Sequence, residues 1–229
     1  MLEARGIGAR YGRIPALNGV SLSIAAGEAV GVIGHNGMGK TTLLKTLMGY
    51  LPLAAGTIDF EGASIGHEPT HRRARLGLAY VPQGREIFPF LTVRENLAIA
   101  ARTPGDVDAV LADFAVLAPL LGRLGGALSG GQQQILALAR CMATRPKCVL
   151  LDEPTEGIQP SIVEEIATLL VRLQKSRGLA LVIVEQRLDF IAGIVGRALV
   201  MQKGAIVAEI SAEGLADRDA VEKIVGIDN

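Results

Sequence analysis

The chain has 229 residues, of which 49% are hydrophobic but only 3% aromatic and none tryptophan, so it can bury one sizeable aliphatic core and is not of the disordered class. Lys and Arg together number 23, as do Asp and Glu, and with zero net charge no global field draws the molecule to nucleic acid or to an anionic membrane. No stretch reaches the ~18 consecutive apolar residues of a membrane span, and the opening "MLEARGIGARYG" lacks the apolar run of a signal peptide, so a membrane connection is expected to run through a partner.

In chain order, residues 1–26 read as short strands with Gly-rich turns, an antiparallel edge sheet. "GEAVGVIG" (27–34) is a β-branched apolar run ending in glycine, a buried strand. It leads into "GHNGMGKTT" (34–42), where Gly34, four residues and then Gly39-Lys40-Thr41 fit the phosphate-loop pattern. Glycines let this loop fold tightly, so that the backbone N–H groups of Gly34, His35, Asn36, Gly37, Met38, Gly39, Lys40, Thr41 and Thr42 form a phosphate cradle at a helix N-terminus. Lys40 is expected on the β- and γ-phosphates and the Thr41 hydroxyl on Mg²⁺. The His35 side chain is read as a solvent-facing filler, with no catalytic part. "KTTLLKTLMGY" (40–50) has helical spacing, with Leu43, Leu44, Leu47 and Met48 on one stripe and Gly49 as its stop.

His67 and His71 fall in a polar surface segment and receive no role. "GLAYVPQ" (77–83) is a second buried strand, and residues 91–127 read as a helical lobe. "LSGGQQQ" (128–134) precedes a helix over 131–144; Ser129, Gly130, Gly131 and Gln132 form either a second anion site or an ordinary helix cap and turn. Two phosphate-seeking elements about 90 residues apart require either one nucleotide shared by both or two chains sharing two nucleotides. Cys141 and Cys148, seven positions apart with no nearby histidine, read as small core residues of a reducing compartment.

"CVLLDEP" (148–154) ends an apolar strand in two acids. Beside a phosphate loop, Asp152 is placed to hold Mg²⁺ and Glu153 to act as general base on the attacking water; the bland alternative is that acids merely cap a strand end. A helix over 160–177, the strand "LALVIVEQ" (179–186), a hairpin in "ALVMQKGAIVAEI" (198–210) turning at Lys203-Gly204, and a short helix from about Arg218 complete the chain. The alternation predicts an α/β fold on a mostly parallel sheet, one domain over 1–229 with its core in 1–90 and 128–229 and a helical subdomain at about 91–127.

"GHNGMGKTT", "YVPQ", "LSGGQ" and "LLDEP" occur in the order and at spacings similar to those of ABC-transporter ATPases, a resemblance that covers essentially the whole chain. It implies a P-loop ATPase fold binding ATP and Mg²⁺, and a head-to-tail dimer in which Ser129, Gly131 and Gln132 of one subunit close on the γ-phosphate held by the other. It implies further that Tyr11 stacks on adenine, although an ordinary edge-strand tyrosine is the alternative. Gln83 would sense Mg²⁺ and water and face the membrane partner, and "EGIQP" (156–160) would meet the other subunit. One position departs from the family: Gln186 stands where most members carry His, so it can donate to phosphate but cannot become an acid, and hydrolysis is expected to depend on Glu153.

"VPQGREIFPFLTVRENL", "DEPTEGIQPSI" and the "VEQ" ending resemble the ATPases of branched-chain amino acid and amide uptake systems. Within that group "DEPTEGIQPSI" looks most like the urea and short-chain amide importer subunit, with the branched-chain amino acid importer as the alternative. Such a subunit is expected on the cytoplasmic face of the membrane. There it would work with two membrane-spanning permease subunits, a second related ATPase and an external binding protein, and with no nucleic acid. Residues 83–90 and the lobe 91–127 would carry the docking surface, with Phe88 and Phe90 either in it or anchoring the lobe. A non-transport ABC ATPase, or a nucleotide clamp without turnover, are the competing classes.

Overall fold

The computed structural model describes residues 1–226; residues 227–229 of the single-domain reading lie outside the described residues. Strands β1 (Leu2–Tyr11) and β2 (Ile14–Ile24) form an antiparallel hairpin, with Leu2 opposite Ile24 and Tyr11 opposite Ile14. They are long strands, where short ones were expected. Gly6 and Gly19, which read as turn signals, have positive φ inside continuous strands, and the β1–β2 register shifts on either side of Ile7. Strand β3 (Ala29–Ile33) leads to helix α1 (Lys40–Met48), ended by Gly49 in the left-handed conformation.

Strands β4 (Ala55–Phe60) and β5 (Ala63–Ser64), unforeseen in the sequence, extend the hairpin to a four-stranded sheet of order β2-β1-β4-β5. Helix α2 (Thr70–Leu76) was also unforeseen. It buries Arg73, whose guanidinium donates to the carbonyls of Thr46 and Leu47 at the end of α1 and so satisfies groups the helix itself cannot. His67 and His71 are exposed, as read.

Next come β6 (Leu78–Val81), α3 (Val93–Ala100), α4 (Pro104–Asp113), α5 (Gly130–Ala143), β7 (Cys148–Asp152), α6 (Pro160–Arg177), β8 (Ala180–Val184), α7 (Leu188–Ala192), β9 (Arg197–Gln202), β10 (Ala205–Ser211) and α8 (Arg218–Val225). The segment 91–127 is helical only in its first half; past α4 it breaks into 3₁₀ turns around Pro119 and the glycines at 125 and 126. The main sheet has the order β10-β9-β3-β8-β7-β6, parallel throughout except for the β9–β10 hairpin, whose Lys203-Gly204 turn has positive φ at both residues.

Strands β3, β7 and β8 are buried at every residue, because helices or a second sheet cover both faces. Alternate side chains feed two cores. Val30, Val32, Leu150 and Val182 meet α1 (Leu43, Leu44, Leu47) and the antiparallel sheet (Leu2, Ile7, Phe60). Val149, Leu151, Leu181 and Ile183 meet α5 and α6 and, in the same cluster, Val93, Leu97 and Phe114 of the segment 91–127. Full burial of a side chain such as Phe60 contributes about 2–3 kcal/mol. Cys141 and Cys148 are core residues; burial pushes both thiols up to about 12, which leaves them unreactive. No helix among the described residues is long and apolar enough to cross a membrane.

Candidate functional site

The loop between β3 and α1 has the local geometry an anion needs. Gly34 has φ 151°, and a Cβ there would lie 2.3 Å from the Met201 carbonyl oxygen, so only glycine fits. Gly39, at φ 100°, caps α1 without a side chain, and the first-turn N–H groups receive no side-chain acceptor. Lys40 is only 4% exposed, and its Nζ donates to the carbonyls of Gly34 (2.6 Å) and His35 (2.9 Å). Burial lowers its pKa, against the opposing pull of Glu153, Asp152 and Glu185. An ammonium held only by two carbonyls beside a glycine cradle has the chemistry to exchange those partners for phosphate oxygens. His35 is exposed, with its Nε2 3.2 Å from the Gly226 carbonyl oxygen.

The parallel pairing of β6, β7 and β8 brings the second half of the site to the same corner. The Thr41 hydroxyl donates to Asp152 Oδ1 (3.0 Å) and the Tyr80 hydroxyl to Oδ2 (2.9 Å). Burial raises the Asp152 carboxyl above its ordinary range, partly offset by these two hydrogen bonds. Burial and the neighbouring carboxylate push the Tyr80 phenol up, so it stays a neutral donor. Thr41 and Asp152 are hard oxygen donors of the kind Mg²⁺ takes.

Glu153, at the end of β7, has φ 46°, a strained conformation for a residue with a side chain. Its Oε1 accepts from Gln186 Nε2 (2.9 Å) and its Oε2 from Gln83 Nε2 (3.4 Å). Gln186 Nε2 also donates to Asn36 Oδ1 (2.9 Å), and Gln83 Nε2 to Glu156 Oε2 (2.9 Å). A cavity of about 1020 Å³ is lined by Tyr11, Asn36, Lys40, Thr41, Gln83, Glu153 and Gln186 among others, so the residues read at distant positions meet around one space. Tyr11 stands at its rim beside Ile14, half exposed.

The segment Ser129–Gln132 does not line that cavity. Ser129 Oγ accepts from the Gln132 backbone N–H (3.3 Å), and the Ser129 N–H donates to Gln132 Oε1 (3.0 Å), a closed capping box at the start of α5. Gly131 is small because α6 passes close: a Cβ there would lie 2.9 Å from Ile162 Cγ2. A Cβ on Gly130 would lie 3.0 Å from an Arg85 guanidinium nitrogen.

Phe88 and Phe90 separate. Phe88, 41% exposed, has the Arg140 guanidinium 4.5 Å from its ring centroid and its backbone bracketed by Asn96. Phe90 is 87% exposed. Tyr80, the pairing of Asn36 with Gln186 and the buried Glu185 were not foreseen: Tyr80 lies within an apolar strand and Glu185 directly after one, while Asn36 in the phosphate loop carries no local sign of its partner.

The sequence profile of the ABC transporter family matches residues 17–156. The chain is 38% identical over 213 residues to the high-affinity branched-chain amino acid transport ATP-binding protein BraG of Pseudomonas aeruginosa, with 90% of this chain and 91% of BraG covered. It is 31% identical over 233 residues to the lipopolysaccharide export system ATP-binding protein LptB of Haemophilus influenzae, with 98% and 96% covered. The fold matches the crystal structure of the ADP conformation of an ATP-binding cassette of an ABC transporter, with a TM-score of 0.88 and 28% identity over 100% of this chain and 99% of that one.

Proposed function

This chain belongs to the ABC transporter family as an ATP-binding, ATP-hydrolysing subunit, and on that premise we propose that it powers the uptake of branched-chain amino acids. The observation that carries the hydrolytic part is Glu153, aimed at the phosphate-loop cavity and held there by Gln83 and Gln186. Tyr11 stacks on adenine, the backbone of residues 34–42 binds the phosphates, and Lys40 leaves Gly34 and His35 for the β- and γ-oxygens. Thr41, Asp152 and Gln83 would hold Mg²⁺, which would supply neutralisation of phosphate charge. Glu153 accepts the proton of the attacking water. Gln186 orients Glu153 and donates toward the γ-phosphate without changing charge, because its amide has no proton to exchange near neutral pH.

Ser129, Gly130, Gly131 and Gln132 lie outside the cavity of their own chain and serve a nucleotide on a second, related ATPase, in a head-to-tail pair closed by ATP. Two permease subunits and an external binding protein complete the transporter, with this chain on the cytoplasmic face. Phe90, exposed and apolar, is the contact offered to the permeases.

The cargo reading moves from urea and short amides to branched-chain amino acids. The urea reading rests on the resemblance of one stretch, "DEPTEGIQPSI" (152–162), whereas the likeness to BraG runs over nine-tenths of the chain and exceeds the likeness to LptB. The test is uptake of labelled leucine and labelled urea in cells carrying the native chain or Lys40→Ala. Loss of leucine uptake alone supports the proposal. Loss of urea uptake alone restores the loop-based reading, and no change in either assigns the subunit to another cargo.

A further inference from the structure

We infer that Glu185 is a positioning residue for hydrolysis, one carboxylate that clamps two loops and so sets where Gln186 meets Glu153; this rests on the reading of Glu153 as the base. Glu185 directly follows β8 and is 4% exposed. Its Oε2 accepts from both the backbone N–H (3.2 Å) and the hydroxyl (2.6 Å) of Thr155. Its Oε1 accepts from the backbone N–H groups of Gln186 (2.8 Å) and Arg187 (3.3 Å). One end of the carboxylate therefore fixes the loop that leaves Glu153, and the other fixes the loop that begins with Gln186.

These bonds close a ring. Glu153 runs through Pro154 to Thr155, Thr155 is bound to Glu185, Glu185 precedes Gln186, and Gln186 Nε2 returns to Glu153 Oε1 at 2.9 Å. The Glu153 N–H donates to the Val184 carbonyl at 2.9 Å, so the ring is pinned to β8. A shift of Thr155 within it moves Glu185 and with it the Gln186 amide. The loop Glu156–Pro160, expected to meet the second subunit, continues directly from Thr155, so contact there has a short mechanical route to the base.

A carboxylate suits the position for a reason of counting. Four donors converge on it, and its two oxygens offer about four lone pairs. A glutamine of the same shape offers one oxygen and two donors, leaving the N–H groups at one end facing an amide NH₂. None of the carboxylate's hydrogen-bond partners is a cation, so Glu185→Gln removes acceptors without breaking a salt bridge.

The experiment measures ATP turnover in the assembled transporter, and nucleotide affinity of the full chain with a fluorescent ATP analogue. The variants are Glu185→Gln, Thr155→Val, their double, and Glu153→Gln. Glu185→Gln is expected to lower kcat roughly tenfold to a hundredfold with KM changed less than about twofold. Thr155→Val lowers kcat by a smaller factor, and the double falls no further than Glu185→Gln alone, because both act through one clamp. A parental kcat in Glu185→Gln, a rise in KM matching the loss, or additive effects would overturn the inference. Should Glu185→Gln fail to fold, Thr155→Val still decides: an unchanged kcat there sinks the clamp. Glu153→Gln separates the two readings, since a parental rate in that variant removes the base assignment whatever Glu185 does.

Discussion

The phosphate loop at 34–42 and the segment at 128–134 are written in the same local grammar, glycines running into a helix N-terminus, yet the fold finishes them differently. At α1 the cap is Gly39, which has no side chain, so the first N–H groups stay open to a ligand. At α5 the cap is Ser129, and with Gln132 it closes a box that uses two of the donors. One is a cradle ready within a single chain; the other is a self-satisfied cap that does not line its own chain's cavity. Anion binding at a helix start therefore depends on whether the cap residue has already spent the donors. For the second element to bind phosphate, the ligand must displace the box.

The largest effect separates the half of the site that does chemistry. Glu153→Gln is expected to reduce ATP hydrolysis by about 10²–10⁴-fold while nucleotide binding persists, measured as phosphate release against equilibrium binding. A parental rate breaks the assignment. Next, Lys40→Ala should weaken the nucleotide affinity of the dilute single chain by roughly 10–100-fold, since it removes charge-assisted bonds of about 1.5–3 kcal/mol. Ser129→Ala should leave that affinity within about twofold, lower turnover in the assembled transporter, and cost about 1 kcal/mol of stability as the cap is lost. Equal loss of single-chain affinity in both variants would erase the distinction between the two elements.

The proposed docking face supplies a smaller contrast. Phe88→Ala gives up the Arg140 contact and a partial burial and should cost about 1 kcal/mol in denaturant unfolding. Phe90→Asp should leave stability within about 0.5 kcal/mol yet impair transport. The smallest effect concerns Asp152, whose folded carboxyl is raised by burial above its unfolded value. A raised acid favours the fold when protonated, so its contribution is present at low pH and is lost as pH rises through the folded value. Asp152→Asn removes that loss and should raise the melting temperature of the nucleotide-free protein by a few degrees at neutral pH, about 1 kcal/mol, with the gain shrinking on acidification. A destabilised variant at neutral pH would mean that the bonds from Thr41 and Tyr80 outweigh the desolvation.

The sequence alone was enough for the buried strands at 27–34, 77–83, 148–154 and 179–186, for α1 with its Gly49 stop, and for the phosphate loop between strand and helix. Each of these depends on spacing within a few residues: a β-branched run, a helical stripe, a glycine where φ turns positive. Reading glycine as punctuation also produced the errors in the first sheet, because Gly6 and Gly19 lie within strands. The pairs Tyr80–Asp152, Thr155–Glu185 and Gln186–Asn36 join residues 72, 30 and 150 positions apart. They were decided by strand order and register, and so was the addition of β4 to the hairpin. Local physics chooses the elements, but only the packed sheet determines which strand ends stand side by side, and the chemistry of this protein is assembled at those ends.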